Sequence, residues 1–154
     1  GESVEAYANM QIATSMGGMV FINAGLGLVH AMSHPVGGFF DTPHGVTNAI
    51  LLPHVLRFNR IAREEKYVDL AAAMGVNVEG LSTREASLAL IEAVENLIED
   101  LGIPTRLRDI GVEENALEDL AEAAVTREGS KRLVNLNARR ARREDVLEIF
   151  ESAY

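Results

Sequence analysis

The apolar and polar positions in the first half of the chain predict a series of helices. Residues 2–22 lack proline and combine helix-forming residues with small apolar ones, which predicts a helix whose later half is buried. Residues 23–27 should interrupt the helix before the histidine segment begins. Residues 46–60 are again mostly apolar, and Pro53 predicts a break or kink part-way along them. Residues 64–74 predict a short helix that Gly75 stops.

The second half of the chain has the clearest amphipathic pattern. Ser82 and Glu85 match a capping box, in which the serine oxygen accepts from a backbone N–H and the glutamate reaches back. The helix that follows should end at Gly102. Residues 113–127 and 143–153 predict two more helices. Their apolar faces consist of Leu117, Leu120, Ala121 and Ala124 in the first and Val146, Leu147 and Phe150 in the second. No alternating strand pattern is visible, so the sequence predicts an all-α helical bundle.

Composition and charge narrow the class of protein. A chain of 154 residues with 47% hydrophobic and 24% charged residues is typical of one globular domain, here assigned to residues 1–154. The net charge of −9 opposes binding to nucleic acid or to an anionic membrane. The absence of cysteine excludes disulfides, zinc–thiolate sites and a thiol nucleophile. Glycines, Asn23 and two histidines interrupt the longest apolar run, so it predicts no membrane span, and we expect a soluble, cytoplasmic protein.

The candidate chemistry is concentrated in residues 25–45, which hold three of the four histidines, His30, His34 and His44. Because His30 and His34 lie four residues apart, both imidazoles should project from one helix face. Pro35 disfavours helical geometry at His34, so we expect the helix to stop there, with the following glycines allowing a tight reversal. A new helix near His44 would fold this histidine back toward His30. Such a corner suits a metal or catalytic site, and a pair of hydrogen-bonded core histidines is the alternative.

Three motifs in this part of the chain carry a family resemblance. They are Gly25-Leu-Gly-Leu-Val-His30-Ala-Met-Ser-His34-Pro, then Pro43-His44-Gly45, then Asn48-Ala-Ile-Leu-Leu-Pro-His54-Val. In these motifs the chain resembles the iron-dependent (group III) alcohol dehydrogenases, especially the lactaldehyde and propanediol oxidoreductase branch. The resemblance continues more weakly to the C-terminal helix. It corresponds to the later, helical, metal-binding domain of such an enzyme.

The resemblance implies roles for individual residues. In similar enzymes the positions of His30 and His44 bind the metal, which is Fe²⁺ by the family norm with Zn²⁺ as the alternative. The position of His34 lines the catalytic cavity near the nicotinamide. Phe21 matches a position that faces the substrate, and core packing is an equal alternative for it. The remaining ligands, an aspartate and a histidine in a D-x-x-x-H arrangement, lie upstream in the family, and no such arrangement precedes Glu2 here. Two histidines alone should bind a metal weakly.

The reaction implied by the resemblance is hydride transfer between a small primary alcohol or diol, or the matching aldehyde, and NAD(H) or NADP(H). The metal would favour the alkoxide as a Lewis acid, and His34 is a candidate for relaying the proton to solvent. The family's nucleotide-binding α/β domain lies upstream. We therefore assign no cofactor-binding residue within this chain and expect the isolated chain to be inactive. Similar enzymes often form homo-oligomers.

Two hypotheses from other classes compete with this one. A non-catalytic helical module, for oligomerisation or regulation, would keep the histidine scaffold without the chemistry. A zinc hydrolase would use His30, His34 and His44 with an activated water, but no glutamate occupies the general-base position of an H-E-x-x-H motif. We interpret His54, the fourth histidine, as a structural residue hydrogen-bonded inside the bundle.

A basic cluster near the C-terminus departs from the acidic character of the chain. It consists of Lys131, Arg132, Arg139, Arg140, Arg142 and Arg143. We interpret it as a solvated face or a contact with acidic helices, because no base-reading aromatic residues accompany it. Similar enzymes carry Asn-Pro-Arg and then a Ser or Thr that caps the last helix, whereas this chain has Asn137-Ala-Arg139 and then Arg142. The missing cap should cost about 1 kcal/mol unless Asn137 or a backbone group compensates.

Overall fold

A computed structural model of the protein describes residues 3–154. Its α-helices are α1 Val4–Ala24, α2 Leu28–Phe40, α3 His44–Arg60, α4 Glu64–Ala73, α5 Thr83–Asp100, α6 Leu117–Thr126, α7 Glu128–Leu136 and α8 Arg143–Ala153. Two 3-10 segments, Leu107–Ile110 and Glu114–Ala116, lie between α5 and α6. No strand occurs among residues 3–154. The predicted all-α fold is confirmed.

Two hydrophobic clusters hold the helices together. The larger one lies between α2, α3, α6 and α8 and includes Met32, Leu51, Leu120 and Phe150, all without exposed surface. The apolar face predicted for α6 is buried throughout, and so are Val146 and Phe150 of α8. A smaller cluster joins α4 to α5 and consists of Tyr67, Ala71, Leu90 and Ile91. The assignment of residues 1–154 to one domain stays a prediction.

The cap and stop signals of α4 and α5 act as the sequence predicts. The backbone N–H of Glu85 donates to Ser82 Oγ at 3.3 Å, and the N–H of Ser82 donates to the Glu85 carboxylate at 2.8 Å. Gly75, with φ of 87°, follows α4, and Gly102, with φ of 65°, follows α5. A side chain with a Cβ is strained at such positive φ, so glycine ends both helices.

The first helix differs from its prediction. α1 begins after Ser3, whose Oγ accepts from the N–H of Ala6 at 3.2 Å; Glu2, at the start of the predicted helix, lies outside the described residues. The later half should have been buried, but no residue of α1 is, and even Ile22 is 76% exposed. Gly17 and Gly18 leave space that no neighbouring atom within 4 Å fills. The apolar composition of α1 is typical of a buried helix, but no other element within residues 3–154 packs over it.

The predicted interruption before the histidine segment occurs at residues 25–27, between α1 and α2, whereas Asn23 and Ala24 of the predicted break still belong to α1. Gly25 has φ of 80° and ψ of 174°, a backbone conformation that essentially only glycine adopts, and a Cβ there would also displace the end of the Leu136 side chain, 2.7 Å away. No single helix among residues 3–154 is long and apolar enough to cross a membrane. The pair α1 and α2 passes the same test of length and composition together, but it is bent by 104° at this break.

The predicted end of α2 at His34 is wrong. Pro35 lies inside α2, the two glycines that follow it are helical, and the helix ends only at Asp41, which has left-handed φ and ψ of 49° and 38°. Proline removes one helical hydrogen bond, here to the carbonyl of Ala31, and costs about 3 kcal/mol. Pro35 is itself fully buried, together with Met32 and Val36. Burial of this helix face offsets the cost of the proline.

A break at the second proline is absent, and the kink given as its alternative stays a prediction. α3 runs from His44 to Arg60 with Pro53 inside it. Pro53 is buried between Leu51 and Val55, two residues of the larger cluster. Packing of α3 against α2, α5 and α8 therefore keeps the helix continuous past the missing N–H. The helix does begin at His44, as expected, with Pro43 as the residue before it.

The basic cluster contacts acidic and aromatic neighbours, in agreement with its interpretation as a helix contact. Arg143 pairs with Glu118 and with Glu122 of α6, the latter at 3.1 Å. Arg139 places its guanidinium 4.0 Å from the ring centroid of Phe58 and donates to the Phe58 carbonyl at 3.0 Å. Part of the cluster lies on α7, a helix that the sequence pattern did not predict because only Ser130 in it is buried.

The last helix has half of a capping box. Arg142 takes the extended conformation of an N-cap residue, with φ of −102° and ψ of 170°, but its guanidinium has no acceptor atom. The Asp145 carboxylate compensates in part, since it accepts from the N–H of Arg142 at 2.7 Å. The N-cap side chain of α8 therefore lacks the expected acceptor, and the Asp145 carboxylate supplies the other hydrogen bond of the capping box.

Replacing Arg142 by serine should complete this box and raise the free energy of unfolding by about 0.5–1 kcal/mol. The serine oxygen would accept a backbone N–H of the first turn of α8. Urea unfolding followed by circular dichroism measures the change. Arg140→Ser, an exposed substitution with the same change in charge, is the control. An Arg142→Ser protein no more stable than this control would contradict the prediction.

Candidate metal and catalytic site

The three histidines of the predicted corner lie together. His30 and His34 are one turn apart on α2, and His44 is the first residue of α3. The ring centroids are 5.2 Å apart for His30 and His44, 5.5 Å for His34 and His44, and 6.3 Å for His30 and His34. α2 is longer than predicted, but the short connection from Asp41 to Pro43 still folds His44 back onto it. The predicted approach of His44 to His30 is therefore seen.

Polar side chains from the same two helices contact two of the rings. Ser33 Oγ lies 3.5 Å from Nδ1 of His44. Asn48 Nδ2 lies 3.3 Å from Nε2 of His30. Asn48 Oδ1 is buried and has no hydrogen-bond partner among residues 3–154. Neither residue was assigned a role from the sequence, where Ser33 adjoins His34 and Asn48 follows His44 by about one helical turn.

The electrostatics of the cluster favour neutral imidazoles. Partial burial lowers the pKa of His30, and the nearby His44 and His34 lower it further. Burial and His44 likewise lower the pKa of His34. Because the ordinary histidine pKa is about 6.5, both rings are mostly neutral at pH 7. A neutral imidazole keeps a lone pair that a metal or a proton can take.

The donor set fits part of a metal site. Imidazole nitrogen is a common ligand for Fe²⁺ and Zn²⁺, and His30 and His44 are close enough to belong to one site. Within residues 3–154, however, no group of three or more His, Cys, Asp or Glu side chains has an arrangement that holds a metal ion. Asp41, the only acidic residue in the motif region, serves as the C-cap of α2. The side chains in the described part of the chain therefore do not complete a metal site by themselves.

Two sequence-predicted residues lie apart from this cluster. Phe21 is on α1, 47% exposed, and its ring makes no contact with the three histidine rings in the described part of the chain. Its substrate role stays a prediction. His54 lines a cavity of about 280 Å³ between α3 and α5. Burial lowers the pKa of His54, Arg57 and Arg106 lower it further, and Glu95 opposes them.

Sequence comparison identifies the class of protein to which this site belongs. The sequence profile of the Fe-containing alcohol dehydrogenase family, C-terminal region, matches residues 1–154. The chain belongs to the iron-containing alcohol dehydrogenase family. The resemblance of its histidine motifs to that family is confirmed.

Particular relatives lie in the predicted branch. The chain is 46% identical to 1,3-propanediol dehydrogenase of Citrobacter freundii over 154 residues, which are all of this chain and 39% of that enzyme. It is 47% identical to lactaldehyde reductase of Escherichia coli K12 over 150 residues, 97% of this chain and 38% of the relative. The chain thus spans about two fifths of the length of these relatives.

Solved structures show the same fold. A crystal structure of 1,3-propanediol oxidoreductase superposes with a TM-score of 0.84 at 46% identity. The superposition covers 89% of this chain and 35% of the oxidoreductase chain. An alcohol dehydrogenase from Oenococcus oeni superposes with a TM-score of 0.82 at 44% identity, with the same coverage of both chains. The helical arrangement described above is therefore that of iron-containing alcohol dehydrogenases.

Proposed function

We propose that residues 1–154 form the metal-binding part of an alcohol dehydrogenase that transfers hydride between a small primary alcohol or diol and NAD(P). The observation that carries the proposal is the cluster of His30, His34 and His44, within 6.3 Å between ring centroids, in a chain of this family. The names of the relatives, 1,3-propanediol dehydrogenase and lactaldehyde reductase, support a short diol or the matching aldehyde as substrate.

The proposed metal ligands within the chain are His30 and His44. They would hold Fe²⁺, or Zn²⁺ as the alternative, together with ligands that lie outside residues 3–154. A metal bound there supplies Lewis acidity toward the alcohol oxygen. Burial and the neighbouring rings lower the pKa of His30, so the neutral ring keeps a lone pair, toward which Asn48 Nδ2 points at 3.3 Å from Nε2.

His34 is the proposed proton carrier. It is exposed, and its ring stacks beside His44 with 5.5 Å between the centroids. Its lowered pKa leaves it neutral near pH 7, so it can accept a proton that the alcohol loses and release it to solvent. NAD(H) or NADP(H) would bind mainly to residues outside this chain. A homo-oligomer and an inactive isolated chain belong to the same proposal.

A chimera tests this function. Residues 1–154 would replace the matching 39% of C. freundii 1,3-propanediol dehydrogenase, and the iron-loaded protein would be assayed with 1,3-propanediol and NAD. We expect reduction of NAD that depends on the diol. A folded, iron-containing chimera without this activity would contradict the proposed function.

The isolated protein gives the complementary measurement. The 154-residue chain, supplied with Fe²⁺ and either nicotinamide cofactor, should show no alcohol turnover above a His30→Ala control. The reason is that two histidines leave most coordination positions of the metal to water. Turnover above the control would refute the predicted inactivity, while the chimera would still decide the reaction.

A further inference from the structure

Ser33 is one of the few polar side chains that the fold buries completely. It lies on α2 between His30 and His34, and it has no exposed surface. Its Oγ is 3.3 Å from the backbone carbonyl oxygen of His30 and 3.5 Å from Nδ1 of His44. The hydroxyl thus lies between the backbone of one proposed metal ligand and the ring of the other.

The direction of the Ser33 hydroxyl proton bears on the tautomer of His44. A serine donates one hydrogen bond, and a carbonyl oxygen only accepts. If the Ser33 proton points to the His30 carbonyl, Ser33 Oγ can interact with His44 only as an acceptor. Nδ1 of His44 then carries a hydrogen, and the lone pair of the neutral ring is on Nε2.

Five other helical hydroxyls of the chain indicate where this proton points. Ser87, which is also fully buried, donates to the carbonyl of Arg84 at 2.8 Å, three residues earlier on α5. Four more hydroxyls donate to the carbonyl four residues earlier, at 2.7 to 2.9 Å: Thr14, Ser15, Thr126 and Ser152. Serine and threonine within helices commonly donate to a carbonyl of the preceding turn in this way. The carbonyl is also the nearer of the two neighbours of Ser33.

We propose that Ser33 is a positioning residue that holds His44 in the tautomer with hydrogen on Nδ1 and the lone pair on Nε2. Histidines that bind metals usually donate their second ring N–H to an oxygen, which fixes both tautomer and ring orientation. Ser33 supplies this oxygen for His44. The consequence for metal binding rests on the proposed function, whereas the tautomer itself does not. Asn48 cannot take the same role, because its amide contacts the ring of His30.

Nuclear magnetic resonance of the ¹⁵N-labelled protein tests the assignment without any metal. At about pH 8, where histidines are neutral, long-range ¹H–¹⁵N correlations distinguish the two tautomers of each ring. We expect His44 in the wild type to carry hydrogen on Nδ1, and Ser33→Ala to shift it toward the Nε2–H form. Ser87→Ala is the matched control, since it removes an equally buried, back-bonded helical serine far from the histidines along the chain.

Two results would overturn the proposal. One is an Nε2–H tautomer of His44 in the wild type, which needs no variant to be observed. The other is an Nδ1–H tautomer that persists unchanged in a folded Ser33→Ala protein. Ser33→Thr, which keeps the hydroxyl, should retain the wild-type tautomer and so rescue the effect of the alanine.

A titration with Co²⁺, followed by its visible absorption, adds the metal readout. Loss of a partner that orients a ligand typically weakens metal affinity about 10–100-fold, so we expect this change for Ser33→Ala and none for Ser87→Ala. Equal Co²⁺ affinity of wild type and Ser33→Ala would overturn the link between the tautomer and metal binding. If the wild type shows the expected tautomer and the chimera binds no metal, the proposed function fails and the assignment of Ser33 is supported.

Discussion

Replacing His44 by alanine should remove most of the bound metal and lower the turnover of the propanediol dehydrogenase chimera at least about 100-fold. Loss of an outer partner of a metal ligand already costs about 10–100-fold in affinity or activity, and loss of the ligand itself should cost more. The ring centroid of His44 lies 5.2 Å from that of His30 and 5.5 Å from that of His34, so its removal affects the whole cluster. Iron content by mass spectrometry and kcat/KM for 1,3-propanediol measure the effect.

His54→Ala is the matched control for this experiment. It removes a histidine from the same helix, α3, but His54 lines a separate cavity toward α5 and contacts no ring of the cluster. The control should therefore keep its iron and its turnover. A His44→Ala chimera that retains both would show that His44 is not a ligand. Equal losses in the two variants would point to a general disturbance of α3.

Replacing Phe150 by alanine should lower the free energy of unfolding by about 3–5 kcal/mol. Phe150 has no exposed surface and is the largest fully buried side chain in the described part of the chain. It lies on α8, which packs against α6 and α3, so the cavity left by the ring would open in the larger hydrophobic cluster. Urea unfolding with comparison of m-values measures the loss and tests two-state behaviour.

Phe39→Ala provides the comparison, since this ring is 46% exposed at the end of α2, where it stacks on Phe40 and on the Arg127 guanidinium. Its loss should cost no more than about 1 kcal/mol. If Phe150→Ala does not fold, Phe150→Leu still tests the argument with a smaller cavity. A Phe150 variant as stable as the Phe39 variant would mean that α8 is not needed by the core.

Local rules predicted the elements whose signals lie within a few residues. The capping box of Ser82 and Glu85 needs only neighbouring backbone groups, and the structure has both of its hydrogen bonds. The apolar face of α6 was predictable because its period is that of the helix itself. Glycines with positive φ after α4 and α5 follow from the same short-range geometry.

The rules failed where distant packing decides the outcome. Pro35 and Pro53 locally disfavour a helix, but both are buried, and the burial of α2 and α3 against other elements outweighs the lost hydrogen bonds. The exposure of α1 could not be predicted either. An apolar composition indicates that burial of the helix is favourable, but it does not identify the residues that would pack against it.

The candidate site, like the fold, was predictable only where its geometry depends on local spacing. The spacing of His30 and His34 on one helix and the return of His44 were predictable from the turn between α2 and α3. The choice of His30 and His44 as ligands came from the family resemblance and stays a prediction. Ser33 and Asn48 were missed because their contacts join α2 to α3 across 11 and 18 positions, and a sequence pattern does not contain those distances.

The exposed helix α1 has a consequence for the specificity of assembly. It is 21 residues long, or about 32 Å, and its apolar side chains point to all sides of its axis. Most amphipathic helices encode their own orientation, because rotating them would bury charge. α1 encodes none, so any surface that covered it would have to select its rotation about the helix axis by shape. Exchanging one apolar side chain of α1 for another should therefore change the steric fit of α1 against such a surface more than it changes the tendency of α1 to be buried.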